Sequence, residues 1–125
     1  MAEIQTLELV DDRFPALFTG EKINTVRWNE GDIKEGYLLY YASKNPKWRT
    51  LVWVTKSQRI PMNKIAHLYG MTPDELCSVM QRHYPGIKQD TVILFIEHLT
   101  PQQTEKEVGI PEEFRVEECL WDGFQ

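Results

Sequence analysis

Residues 37–42 read Tyr-Leu-Leu-Tyr-Tyr-Ala and residues 49–57 read Arg-Thr-Leu-Val-Trp-Val-Thr-Lys-Ser, and these two stretches decide the fold. Both are short, rich in aromatic and β-branched residues, and separated by the turn chemistry of Lys44-Asn45-Pro46-Lys47, so they are expected to pair as a hairpin. A strand with one wet face alternates apolar and polar positions. Leu38, Leu39, Tyr40 and Tyr41, and Leu51, Val52, Trp53 and Val54, instead run apolar almost continuously. Both faces are therefore covered, as in a small closed barrel or a helix-covered sheet.

Toward the N-terminus, residues 3–10 alternate like a first strand, and Asp11 or Asp12 can cap a short helix over 13–19. Phe14, Leu17 and Phe18 fall at i, i+3 and i+4 of that helix, and Gly20 stands where it would stop. Residues 21–28 read as a second strand ending in the turn Asn29-Glu30-Gly31-Asp32. Toward the C-terminus, residues 63–69 form a helical stretch closed by Gly70. Thr72-Pro73-Asp74-Glu75 follows as a capping box with Pro at the first helical position. Leu76, Val79, Met80 and His83 make the apolar stripe of that helix, and Tyr84-Pro85-Gly86 ends it. Residues 91–97 read as a buried strand, residues 100–111 as a polar, Pro-punctuated loop, and residues 114–121 as a last short segment. The order β, α, β, β, β, α, α, β specifies an α+β domain on a curved sheet.

Composition sets the outer limits. At 125 residues with 42% hydrophobic and 26% charged side chains the chain has the mix of one soluble domain, able to hold a core without disulfides or structural metal. No apolar run approaches the ~20 residues of a membrane helix, and the opening Met1-Ala2-Glu3-Ile4-Gln5 is unlike a signal peptide, so a cytoplasmic location and no membrane partner are expected. Cys77 and Cys119 have neither zinc-ligand spacing nor a base placed to lower a thiol pKa, and are expected as buried or half-buried thiols; no metal and no other cofactor is expected. The net charge of −5 is uneven: −3 over residues 1–20, +5 over 21–65 and −7 over 66–125. An acidic whole argues against non-specific nucleic-acid binding, whereas the basic middle either presents a positive face to an anionic ligand or is a solvated sheet edge.

Phosphate-cradling Gly-rich loops, HExxH and GxSxG are absent, which removes nucleotide-phosphate loops, zincin sites and the hydrolase elbow. His67, His83 and His98 are scattered, and the stripe position of His83 favours a hydrogen-bonded core or boundary histidine. The string Gly20-Glu21-Lys22-Ile23-Asn24-Thr25-Val26-Arg27, at a helix-to-strand junction, carries the chemistry that remains. In a regular strand Lys22 and Thr25 face opposite ways, so a shared site requires the chain to bend between them.

That Gly-x-Lys-x-x-Thr-x-Arg string, with Gly31-Asp32 and Gly36 before an apolar strand, resembles the activating-signal-cointegrator-homology (ASCH) domains. Gly70-Met71-Thr72-Pro73-Asp74-Glu75-Leu76, then His83-Tyr84-Pro85-Gly86 and Thr91-Val92-Ile93-Leu94-Phe95, are similar to the small bacterial members that act as N4-acetylcytidine amidohydrolases. The resemblance covers about residues 14–97. It implies a PUA-like β-barrel flanked by short helices, with a cleft between barrel and helices that accepts RNA or a modified nucleoside. The division that follows is an ASCH domain over 1–99 and an acidic C-terminal extension over 100–125, packed on or beside the domain. In the amidohydrolase members a Lys and a Thr of this string work with a Glu. Lys22 and Thr25 match the first two, and the Glu position falls on Tyr69.

The departure at Tyr69 bears on chemistry. Amide hydrolysis needs an activated nucleophile, a stabilised oxyanion and a proton for the leaving amine. Thr25 attacks only if a base takes its proton, and Lys22, with a reference pKa of about 10.4, needs burial or a neighbouring cation such as Arg27 to be that base. Tyr69, with a reference pKa of about 10, is a poor substitute for a carboxylate. Asp74 or Glu75 could reach in from the helix start, though Glu75 already has a capping task.

Aromatic residues offer a second line. Trp28 follows the string, and Lys47-Trp48-Arg49 interleaves an indole with two cations. Exposed, Trp48 suits single-stranded RNA, whose bases stack on rings while Lys and Arg track phosphate; buried, it is core. Trp53 is expected in the core, and Tyr37, Tyr40 and Tyr41 are open to either reading. Three functions follow. The first is a cleft binding RNA or a cytidine-like nucleoside through Lys22, Thr25, Arg27, Trp28 and Trp48. The second is an N4-acetylcytidine amidohydrolase with Thr25 as nucleophile, Lys22 as activator and Tyr69 or Asp74 in place of the Glu. The third is a protein-interaction module using the acidic residues 105–125, which carry a net −5.

Overall fold

The hairpin forms as expected: β3 (Gly36–Ala42) and β4 (Arg49–Pro61) run antiparallel, with Tyr41 opposite Arg49 and Gly36 opposite Val54. These contacts belong to a computed structural model, which describes residues 4–10, 13–20, 23–45 and 47–114, the Phe14 side chain excepted. β4 does not stop at Ser57. Its first half pairs with β3, and from Val54 to Pro61 it pairs with β5 (Val92–His98) instead, across a register shift that leaves Thr55 as the extra residue. A bulge of this kind bends a strand and increases its twist. The handover at Val54 therefore curls the sheet.

Two further strands complete it. β1 (Gln5–Leu9) lies parallel to β3, and β2 (Asn24–Arg27) lies antiparallel to β5, giving the order β1-β3-β4-β5-β2. The molecule is an α+β half-barrel whose two edges are β1 and β2. Alternation along β5 divides the core: Leu94 and Ile96 join Leu7, Leu17, Leu38, Tyr40 and Val52 on one face. Ile93 and Phe95 join Met62, Ile65, Leu76 and Met80 on the other. At about 1.5–3 kcal/mol for each fully buried large apolar side chain, these clusters supply the main driving force.

Helices cover both. α1 (Phe14–Thr19) ends in Gly20 at φ 83°, and a side chain there would also meet the Thr100 methyl. Two 3-10 turns, Met62–Lys64 and Ala66–Tyr69, lead through the left-handed Gly70 to α2 (Pro73–Gln81). The capping box of α2 is formed as read, the Thr72 hydroxyl accepting from the Glu75 N–H while the Glu75 carboxylate accepts from the Thr72 N–H. α2 closes at Gln81, so His83 lies past its last turn and is exposed; the stripe reading that placed it in the core or at its boundary is corrected.

The expected loop over 100–111 is also corrected, because residues Pro101–Glu107 form a helix, α3. Thr100 and Gln103 make a second capping box, with Pro at the start, in the same pattern as Thr72-Pro73-Asp74-Glu75. The segment is polar because a short surface helix buries one narrow strip, here Pro101 and Thr104. Thr104 is fully buried: its hydroxyl donates to the Thr100 carbonyl at 2.8 Å and accepts from the Trp53 N–H at 3.0 Å. Gln102 donates to the Phe18 carbonyl at 2.5 Å, tying α3 to α1. Trp53 is half-buried rather than core, since its outer face meets Tyr37 edge-on at 4.9 Å. Cys77 is buried as expected, and Cys119 lies outside the described residues. Among the described residues no helix is long and apolar enough to cross a membrane.

Candidate functional site

β2 is only four residues long and sits at a sheet edge, so the side opposite β5 is left open. Strand alternation sends Asn24 and Val26 to one face and Thr25 and Arg27 to the other. Val26 packs on the cluster under α2, while Thr25 is buried beside Tyr40. A cavity of about 570 Å³ wraps this edge, filling the gap between β2 and the other sheet edge and roofed by α2. Met71, Leu76, Val79 and Met80 give it an apolar wall; Asn24, Thr25, Arg27 and Tyr69 give it a polar one. Arg13 and His83 also reach the lining, and Glu8 and Glu30 set two acids against Arg13 and Arg27.

Arg27 spans the open seam of the barrel. Its Nη2 donates to the Glu8 carbonyl on β1 at 2.9 Å, its Nε donates to the Thr25 hydroxyl at 3.2 Å, and Nη1 lies 3.7 Å from the Glu30 carboxylate. A guanidinium presents a rigid fork of donors, which suits one side chain bridging two strands and a loop. The arginine is thus engaged with the protein before any ligand arrives.

Tyr69 donates its hydroxyl proton to Asn24 Oδ1 at 2.7 Å. Burial, with the Glu97 carboxylate adding to it, pushes the phenol well above its ordinary pKa, so it stays protonated near neutrality. A proton-holding phenol can donate and cannot serve as the base a carboxylate would be. Tyr84 closes the same side: it donates to the Glu30 carboxylate and meets Trp28 edge-on at 6.2 Å. Burial first, and then that bond to Glu30, raise its pKa as well.

Behind Thr25 the polar groups continue inward. The Tyr40 hydroxyl lies 3.0 Å from His98 Nε2, and His98 Nδ1 lies 2.8 Å from the Leu99 carbonyl. Tyr40 is fully buried, which drives its pKa up; Arg27 nearby and a hydrogen bond with Thr25 oppose that shift.

The structure brings Thr25, Arg27 and Tyr69 of the sequence-derived site onto one cavity. Lys22 lies outside the described residues, so the bend expected between it and Thr25 does too. Asp74 is absent from the lining and is bonded by Gln89, while Glu75 is held in its cap. Trp28 backs Tyr84 instead of lining the cavity, and Trp48 is half-buried against the core around Tyr40. Sequence reasoning did not place Tyr40, His98, Glu30 or Tyr84 at the site. Only Tyr40 carried a signal, since a tyrosine inside a doubly covered strand needs a partner for its hydroxyl. Among the described residues no group of acids, histidines and cysteines is arranged to hold a metal ion.

No family model matches the chain, and no curated protein matches it. Among solved structures it is similar to the crystal structure of protein EF3133 from Enterococcus faecalis V583, of family DUF984. The TM-score is 0.56 and the identity 14%, over 78% of this chain and 80% of that one. At that identity the likeness speaks for the fold alone.

Proposed function

We propose that this chain is an ASCH-type, PUA-like domain whose cavity holds one cytidine-like nucleoside, free or as an unstacked residue of RNA. The observation that carries the reading is the division of the 570 Å³ cavity into an apolar wall under α2 and a facing cluster of hydroxyl, amide, guanidinium and phenol groups. A pyrimidine has that same division, with an apolar ring face and a polar edge, and small-ligand sites combine a few placed polar groups with apolar surface. The balance of Glu8 and Glu30 against Arg13 and Arg27 favours a neutral nucleoside over a track for several phosphates. Calorimetric titration of cytidine, N4-acetylcytidine and a short single-stranded RNA tests it. Saturable binding of a nucleoside that Thr25→Val weakens supports the reading; failure of all three to bind refutes it.

Amide hydrolysis is the second reading, favoured by Thr25 and Tyr69 standing on one cavity wall. Thr25 would attack the acyl carbon with Lys22 taking its proton, Tyr69 would serve as a donor to the developing oxyanion or leaving amine, and water would then cleave the acyl-Thr25 ester, releasing acetate and restoring the hydroxyl. Release of cytidine from N4-acetylcytidine, abolished in Thr25→Ala, would establish it, and no release at high enzyme concentration would remove it.

A further inference from the structure

The hydrogen-bonding phase of β2 decides what its main chain offers the cavity. The His98 N–H donates to the Ile23 carbonyl at 2.9 Å, and the register continues that pairing as Asn24 with Glu97, Thr25 with Ile96, Val26 with Phe95 and Arg27 with Leu94. Opposite residues of an antiparallel pair exchange main-chain bonds only at every second position. Ile23, Thr25 and Arg27 are therefore bonded to β5, whereas Asn24 and Val26 turn their N–H and C=O away from it. β2 is the last strand of its sheet, so among the described residues no further strand receives the two groups of Val26. They face the cavity that wraps this edge. A half-buried donor and acceptor of this kind are met either by water or by a ligand.

Both groups belong to one extended residue and point the same way, donor beside acceptor. The complementary ligand group is planar and carries an acceptor next to a donor, as a cyclic amide or an amidine does. Bonded to the strand edge, such a ring lies near the plane of the sheet. One ring face then meets Met71, Leu76 and Met80, on the side where the Val26 side chain packs, and the other face looks toward Arg27.

We infer that the main chain of Val26 is the edge on which the cavity seats its ligand, through two hydrogen bonds to a cyclic amide or amidine. The inference rests on the nucleoside reading above and specifies how the ring is held. Cytosine offers its ring N3 as acceptor beside an amino donor, and uracil offers N3–H beside a carbonyl. This contact therefore holds either pyrimidine and does not choose between them. N3-methyluridine has lost the donor.

The test is amide hydrogen exchange, read by NMR on the full chain, with cytidine, uridine and N3-methyluridine as probes. Without nucleoside, the Thr25 and Arg27 amides should be protected and the Val26 amide should exchange as an open one. Saturating cytidine or uridine should slow Val26 exchange about tenfold or more, as one gained hydrogen bond does, and move its proton downfield. N3-methyluridine should bind about tenfold more weakly than uridine. Val26→Pro removes the outward N–H and no ladder bond, which an edge strand tolerates, and should weaken cytidine and uridine about tenfold alike. Should Val26→Pro not fold, the exchange readout decides alone. The inference is overturned, and the nucleoside reading left standing, by a Val26 amide already protected in the free protein or one left open while a nucleoside saturates the chain. Undiminished affinity in folded Val26→Pro, or for N3-methyluridine, does the same. Absence of binding by cytidine and uridine both overturns the nucleoside reading itself.

Discussion

Replacing Arg27 by Leu removes the side chain that spans the barrel seam, and the structure sets the size of the effect. The bond to Thr25 serves an oxygen on a residue only 5% exposed, so losing it costs about 1–3 kcal/mol. The bond to the Glu8 carbonyl faces solvent, where water substitutes, and is worth about 1 kcal/mol or less. The Glu30 pair, at 3.7 Å with a solvent-facing carboxylate, adds little. Leu keeps much of the apolar stem, so the expected loss is about 2–4 kcal/mol, dominated by Thr25. With a urea slope of about 2 kcal/mol per molar, the middle of the usual range, the unfolding midpoint should fall by about 1–2 M while the slope is unchanged. Arg27→Lys should fall between, since one ammonium cannot reach β1 and Thr25 together. An Arg27→Leu midpoint within about 0.3 M of the parent would refute the seam account and make Arg27 a solvated arginine.

Three other outcomes are expected. Thr104→Val should lower stability by about 1–3 kcal/mol by stripping the Trp53 N–H of its acceptor, measured by denaturant unfolding; no change would mean that α3 is not docked on β4. The Thr72 N–H, and then the Thr72 hydroxyl, hold the Glu75 carboxylate below its ordinary value of 4.5. That contribution is fully present above pH 4.5 and is lost as pH falls through the lowered value, so Glu75→Gln, which keeps a cap, should flatten the acid limb of a thermal-stability profile; an unchanged limb would contradict it. Tyr40 and Tyr69 have raised pKa values, so their stabilisation is present below pH 10 and lost above it. Absorbance titration of tyrosinate should show a late fraction, coincident with unfolding, that Tyr69→Phe reduces; full ionisation in a single step near pH 10 would contradict burial.

The sequence made much of the frame legible and less of the site, for identifiable reasons. The hairpin was readable because unbroken apolar runs leave few alternatives, and α2 because its cap, Pro and stripe agree. α3 carried the same Thr-Pro opening and a Gln in place of Glu, but its polar surface hid it: one buried threonine does not make a stripe. The seam was out of reach, since the distance between β1 and β2 follows from the bulge at Thr55, which no local pattern marks. Thr25 and Arg27 were found through a motif, whereas Tyr40 and His98 meet each other only because β3 and β5 both lie within the curl.

The central claim, that the cavity beside β2 holds a cytidine-like nucleoside, is tested most directly by a crystal structure of the protein soaked with cytidine. The account predicts the ring against the Met71, Leu76 and Met80 wall with its polar edge toward Asn24, Thr25 and Tyr69. Cytidine bound elsewhere on the surface, or seated in the cavity with its polar edge turned away from those three residues, would contradict it.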